Sequence, residues 1–128
     1  MTDIFGFSLF VAANSLILFM LAFNVSRIRL KKRISVGDGG DKDLFNAMRA
    51  HGNGLEQVPM FALILLALSM LNTMPLLIAI FAGSFTISRI FHAHGMLTKN
   101  FLTRRIGATA TYLLQLIAII ALILECFL

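Results

Sequence analysis

The sequence predicts an all-α integral membrane protein: one domain, four helices, packed as a bundle. Three observations carry that expectation. Of the 128 residues, 59% are hydrophobic and 13% are charged, roughly half the charged share of a typical soluble domain. The apolar residues form long uncharged runs rather than being dispersed. All 11 Lys and Arg residues fall in or beside two connections between those runs. A water-soluble globule needs far more polar surface than this. The composition therefore argues against an ordinary soluble enzyme, a disordered chain and a nucleic-acid module.

The first uncharged run covers 4–26. At about 1.5 Å per helical residue it crosses a hydrocarbon core of about 30 Å. No basic segment precedes it and it is too long for a signal-peptide core, so it reads as a retained span. A polar loop is expected next: Arg27, Arg29, Lys31, Lys32 and Arg33, then Gly37-Asp38-Gly39-Gly40-Asp41. The glycines break any helix, and Asp41 or Asp43 suits the N-cap of the next one. That glycine cluster lacks the strand context of a dinucleotide-binding loop.

The second uncharged run, 57–88, is too long for one span and short for two. Pro75 disfavours helix at Met74, so the break falls at Asn72-Thr73-Met74-Pro75. Two helices share the run as a tight hairpin, and each must reach into charged sequence to complete its crossing. One reaches back through Glu56, Asn53 and Arg49; the other continues through Arg89 and His92. Ionisable side chains are thereby set at the same end of two adjacent helices, where they are costly and mark function by default. A short loop and a last run, 106–124, complete the chain. The expected spans are 4–26, 44–71, 75–94 and 104–126. The single cysteine, Cys126, lies at the end of the last run. It cannot form an intrachain disulfide and reads as a packed or lipid-facing thiol.

Orientation follows from the cations. Arg27 to Arg33, Lys42 and Arg49 flank the first connection, and Arg89, Lys99, Arg104 and Arg105 flank the third. The hairpin and both termini carry none. The positive-inside rule then puts both basic connections in the cytoplasm and both termini outside, with Asp3 and Glu125 at the outer ends. The isoelectric point of about 10.2 is on this reading a topology signal, and some of the cations can meet anionic lipid headgroups.

Helical spacing sorts the polar residues into faces. Arg49, Asn53 and Glu56 stand at i, i+4 and i+7, a stripe about 60° wide at about 100° per residue. A cation, an amide and a carboxylate on one face suit a zwitterionic ligand. They equally suit an internal ion pair and polar contact that lock the bundle. Arg89, His92 and Met96 share a face in the third helix. His94 lies across that helix, so His92 and His94 make a poor metal pair, and no carboxylate or thiol cluster completes one. Arg104 and Arg105 open the fourth helix, with Tyr112 on the face of Arg105. An interfacial Arg there can stabilise a developing anion such as a thiolate, or it can be a cationic anchor that snorkels to the headgroups. There is no Ser-His-Asp or Cys-His set for hydrolysis by a nucleophile.

The run Arg49-Ala50-His51-Gly52-Asn53-Gly54-Leu55-Glu56-Gln57-Val58-Pro59 resembles the signature of the MAPEG family, membrane-associated proteins in eicosanoid and glutathione metabolism. Arg89-Ile90-Phe91-His92-Ala93-His94-Gly95 is similar to a second family motif, and Arg104-Arg105-Ile106-Gly107 to a third. The resemblance covers essentially the whole chain and is strongest to short bacterial members. It implies a homotrimer in the bacterial inner membrane with ligand sites between subunits. It further implies glutathione held by Arg49, Asn53 and Glu56, with Arg89 and His92 lining the same site. Catalysis falls to an Arg at the start of the fourth helix, Arg104 by its place before Gly107, with Arg105 next to it. Two positions depart from the pattern: Met96 and Gln57 stand where some members carry Tyr, which removes two phenolic hydroxyls able to orient a thiol.

The expected function is a glutathione-dependent transferase or peroxidase. It would join a cytosolic thiol to a lipophilic electrophile dissolved in the bilayer. The competing expectation is a non-catalytic lipid-binding or scaffold protein of the same fold, in which the polar stripe only locks the bundle. A channel subunit fits less well, because the polar positions cluster at one end and do not continue through the bilayer.

Overall fold

The computed structural model describes residues 4–128. Among them are four helices, α1 (Phe5–Lys32), α2 (Lys42–Met70), α3 (Pro75–Leu97) and α4 (Phe101–Phe127), and no strand. All four are long and apolar enough to cross a membrane. Asp3, expected at an outer helix end, lies outside the described residues.

The helices outrun the uncharged segments. Arg27 to Lys32, expected as loop, continue α1. The physical reason is that a helix at the membrane interface still satisfies its own backbone, and long cations placed in its last turn favour the negative end of its dipole. Arg33 ends α1 in the left-handed region, with φ 56°. The chain then turns through Gly37, Gly39 and Gly40, all at positive φ. Asp41 caps α2, its side chain accepting from the Leu44 N–H at 2.8 Å. The Asp41 carboxyl also pairs with Lys32. That hydrogen bond first, and the Leu44 N–H second, hold it below the usual carboxylate range. At the other end of the bundle Pro75 occupies the first turn of α3, as the hairpin break requires. Asn100 caps α4 through the Thr103 N–H.

The α1, α2 and α3 helices pack mutually, and α4 lies against α3 with a smaller contact on α2; α1 and α4 do not meet. Among lipid chains this association rests on close packing and interhelical hydrogen bonds, because burial from lipid carries no hydrophobic gain. The central layer is aromatic: Phe61 stacks on Phe85 at 3.8 Å between ring centroids, and Phe10 closes the trio edge-on to Phe85. Near it the Asn14 amide donates to Thr86 Oγ1 at 2.8 Å, tying α1 to α3. At the basic end Lys32 on α1 and Lys99 in the α3–α4 turn both reach Asp43 at the start of α2, at 3.5 and 2.7 Å.

Two glycines set the α3–α4 spacing. A Cβ added at Gly95 would come within 2.7 Å of the Arg104 Cα, and one added at Gly107 within 2.7 Å of the His92 Cα. Real Cβ contacts are never that close, so only glycine admits this approach. It sets Arg104 beside Gly95 and His92 beside Gly107.

Candidate functional site

The polar residues meet where α2, α3 and α4 converge near the basic end. An open cleft of about 310 Å³ is lined there by Arg49, Asn53, His92, Met96 and Arg104, with Phe45, Asn46 and Ala108 completing the wall. Behind it lies Arg89, which is 3% exposed. Its guanidinium donates to Asn53 Oδ1 at 2.7 Å and to Thr111 Oγ1 at 3.4 Å. The same group lies 3.2 Å from His92 Nδ1. A guanidinium has only donors, so His92 Nδ1 accepts and the ring's donor is Nε2–H. Thr111 also meets Ser88 at 3.0 Å, and it bonds back to the Gly107 carbonyl. The Arg89 charge is thus held by neutral acceptors from α2, α3 and α4, inside a segment where an unbonded charge is very costly.

Arg49 and Arg104 differ in kind. Both are exposed, so their charges are open to a ligand in the cleft. Arg49 has one acidic partner, Glu56 at 3.7 Å, where both side chains are half-exposed. Arg104 has no acidic partner among the described residues. Its guanidinium lies 5.6 Å from the Phe101 ring centroid. With Arg49, paired only at a half-exposed edge with Glu56, the unpaired Arg104, the Asn53 amide and the His92 ring in its lining, the cleft offers two exposed cations beside neutral polar groups. That set matches a small ligand bearing carboxylates or a thiolate.

The family model for the MAPEG family matches residues 7–124. The chain belongs to the MAPEG family. It is 30% identical over 114 residues to the inner membrane protein YecN of Escherichia coli strain K12, covering 89% of this chain and 87% of that protein. The YecN protein of Escherichia coli O6:H1 strain CFT073 matches with the same identity and coverage.

Within this MAPEG chain the sequence-predicted residues separate into three groups. Arg49, Asn53, His92 and Arg104 line one cleft. Arg89 sits behind that lining and holds Asn53 and His92 in place. Glu56 and Arg105 lie outside it: Glu56 pairs with Arg49, and Arg105 lies over the Phe101 ring at 5.4 Å. Two further residues belong to the site. Asn46 lines the cleft, three positions before Arg49 and therefore on the same helical face, a signal present in the spacing. Thr111, four positions after Gly107, holds Arg89; only the packing of α3 on α4 brings it there. On the other side of the α3–α4 seam runs an apolar groove of about 510 Å³, lined by Ile87, Phe91, Ile106, Gly107, Leu113 and Ile117.

Proposed function

We propose that this chain is a glutathione-dependent membrane transferase or peroxidase acting on lipophilic electrophiles. The observation that carries the reading is the cleft whose lining brings Arg49, Asn53, His92 and Arg104 together. Glutathione presents two carboxylates, an ammonium, amides and a thiol. Arg49 suits a carboxylate, Asn53 an amide, and Glu56 beside Arg49 an ammonium at the cleft's edge. Arg104 lines the cleft, where a cation would favour the thiolate over the thiol, and Arg105, outside the cleft, would act only through the local field. The apolar groove across the seam suits the membrane-dissolved electrophile. The protein on this reading is a homotrimer in a bacterial inner membrane, and a neighbouring subunit closes the open side of the cleft. The shared family and the name of the YecN relative support that setting.

The test is thiolate formation. Purified protein mixed with glutathione is expected to develop the ultraviolet absorbance of a thiolate, and Arg104→Ala to lose most of it, on the order of tenfold in thiolate population. Absence of any signal with the wild-type protein, together with no conjugation of an aromatic or lipid electrophile, would sink the proposal.

One observation favours the second reading, a non-catalytic lipid-binding or scaffold member. The Arg89 network takes up the Asn53 amide oxygen and His92 Nδ1 for structural purposes, and Met96 brings no phenol to the cleft. On that reading the wild-type protein binds lipid without glutathione, and Arg104→Ala changes nothing.

A further inference from the structure

A second polar cleft lies away from the site above, between the basic end of α1 and the ends of α2 and α3. Its volume is about 390 Å³, and its lining includes Asn24, Arg27, Ile28, Lys31, Asp43 and Leu97. Lys32 also borders it, but Lys32 is committed to Asp41 and Asp43, and Asp43 in turn to Lys99. The acid in the cleft is therefore already neutralised. Arg27 and Lys31 are not: among the described residues neither has an acidic partner within 4.0 Å.

These two cations stand four residues apart on α1, one turn above the other. Like charges in that relation repel and destabilise a helix unless an anion lies between them. Arg27 is held in place by a bond from its guanidinium to Asn24 Oδ1 at 2.9 Å. A fixed planar fork beside a flexible ammonium is a good receptor for a tetrahedral oxyanion, the first bidentate and the second a point charge. Depth adds the next constraint. Arg27 is the first charge after the uncharged run of α1, so the cleft opens at the level of lipid headgroups. Ile28 and Leu97 give it an apolar flank against which an acyl chain can lie.

We propose that the Arg27–Lys31 cleft binds a phosphate-type anion, with the headgroup of an anionic phospholipid as its occupant. The full-length protein in detergent micelles is titrated with dioleoyl phosphatidylglycerol, with dioleoyl phosphatidylcholine and, separately, with inorganic phosphate, while thermal unfolding is followed. Phosphatidylglycerol is expected to raise the melting temperature at concentrations where phosphatidylcholine does not. The double variant Arg27→Gln/Lys31→Gln is expected to bind it about tenfold more weakly or worse, since each juxtamembrane cation favours anionic lipid severalfold. The charge-preserving Arg27→Lys/Lys31→Arg keeps most of the effect, and Arg33→Gln, outside the cleft, keeps all of it. If the double neutral variant does not fold, Lys31→Gln alone, at an exposed position, gives the same comparison with a smaller loss. Stabilisation by inorganic phosphate alone, lost in the same variants, supports the site and assigns it to a free anion. Equal responses to the two lipids with none to phosphate, or neutral variants that respond as the wild type does, overturn the proposal.

Discussion

At the scale of the residue, the polar groups of the bundle fall into those that hold it and those it holds open. Arg89 is buried and donates to partners on α2, α3 and α4. Arg49 and Glu56 are half-exposed at 3.7 Å, a geometry worth between zero and about 1 kcal/mol. Arg89→Ala removes charge-assisted hydrogen bonds and orphans Asn53 and His92. We expect a loss of about 3 kcal/mol in unfolding free energy, measured in micelles by chemical denaturation. Glu56→Gln is expected to cost less than about 1 kcal/mol. Near-equal losses from the two variants would show that the lock does not centre on Arg89. Spacing made Arg49, Asn53 and Glu56 legible as one stripe, and the Arg49–Glu56 pair agrees with it. Spacing could not say that Asn53 turns its oxygen to Arg89, because that bond joins positions 36 apart on different helices. The bond between Asn14 and Thr86 was equally out of reach: they lie 72 positions apart on different helices, and only packing puts them 2.8 Å apart.

At the scale of the element, the α3–α4 seam governs the candidate site. Gly95 and Gly107 leave room for the opposing backbone, and that contact sets Arg104 and His92 on one cleft. Backbone cannot yield as a side-chain tip can, so Gly107→Ala must push the helices apart. The expected cost is about 3 kcal/mol, the upper range for overpacking. On the proposed transferase reading, the same variant should also weaken glutathione binding, because Arg104 and His92 separate. Gly83 lies in the same helix α3 with nothing within 4 Å of an added Cβ. Gly83→Ala is therefore expected to be neutral or to stabilise by up to about 1 kcal/mol through helix propensity. Melting curves of the two variants check both, and a Gly107→Ala protein as stable as wild type would contradict the tight seam. Both glycines stand inside the motifs by which the family resemblance was legible, but the sequence offered no reason for them. The helix termini were legible where one residue decides them, as with Asp41 and Pro75. They were not legible along Arg27 to Lys32, where charge marked a loop although the helix continued. Likewise Asp43, weighed only as a cap, bridges Lys32 and Lys99 and so ties three segments at one end.

At the scale of the whole molecule, the basic ends of all four helices gather at one end of the bundle, and the hairpin at Leu71 to Met74 closes the other. The orientation of the molecule therefore decides which compartment can supply the thiol. On the orientation expected from the positive-inside rule, the basic end, and with it the cleft lined by Arg49 and Arg104, faces the cytoplasm. Glutathione is a cytosolic solute, so the charge rule and the proposed chemistry demand the same side; they share Arg49 and Arg104, but Arg27 to Arg33, Lys42 and Lys99 carry the charge rule without entering the chemistry. Cys126, the single cysteine, is exposed in the last turn of α4 and reports the opposite side without any substitution. A membrane-impermeant maleimide is expected to label Cys126 in intact spheroplasts. In a Cys126→Ser background, a Ser35→Cys protein carries its thiol in the basic connection instead, and it should react only after the spheroplasts are lysed. The reverse pattern would put the cleft on the outer face, away from cytosolic glutathione. The transferase reading would then lose its thiol, while the anion cleft at Arg27 and Lys31 would still face a phospholipid leaflet.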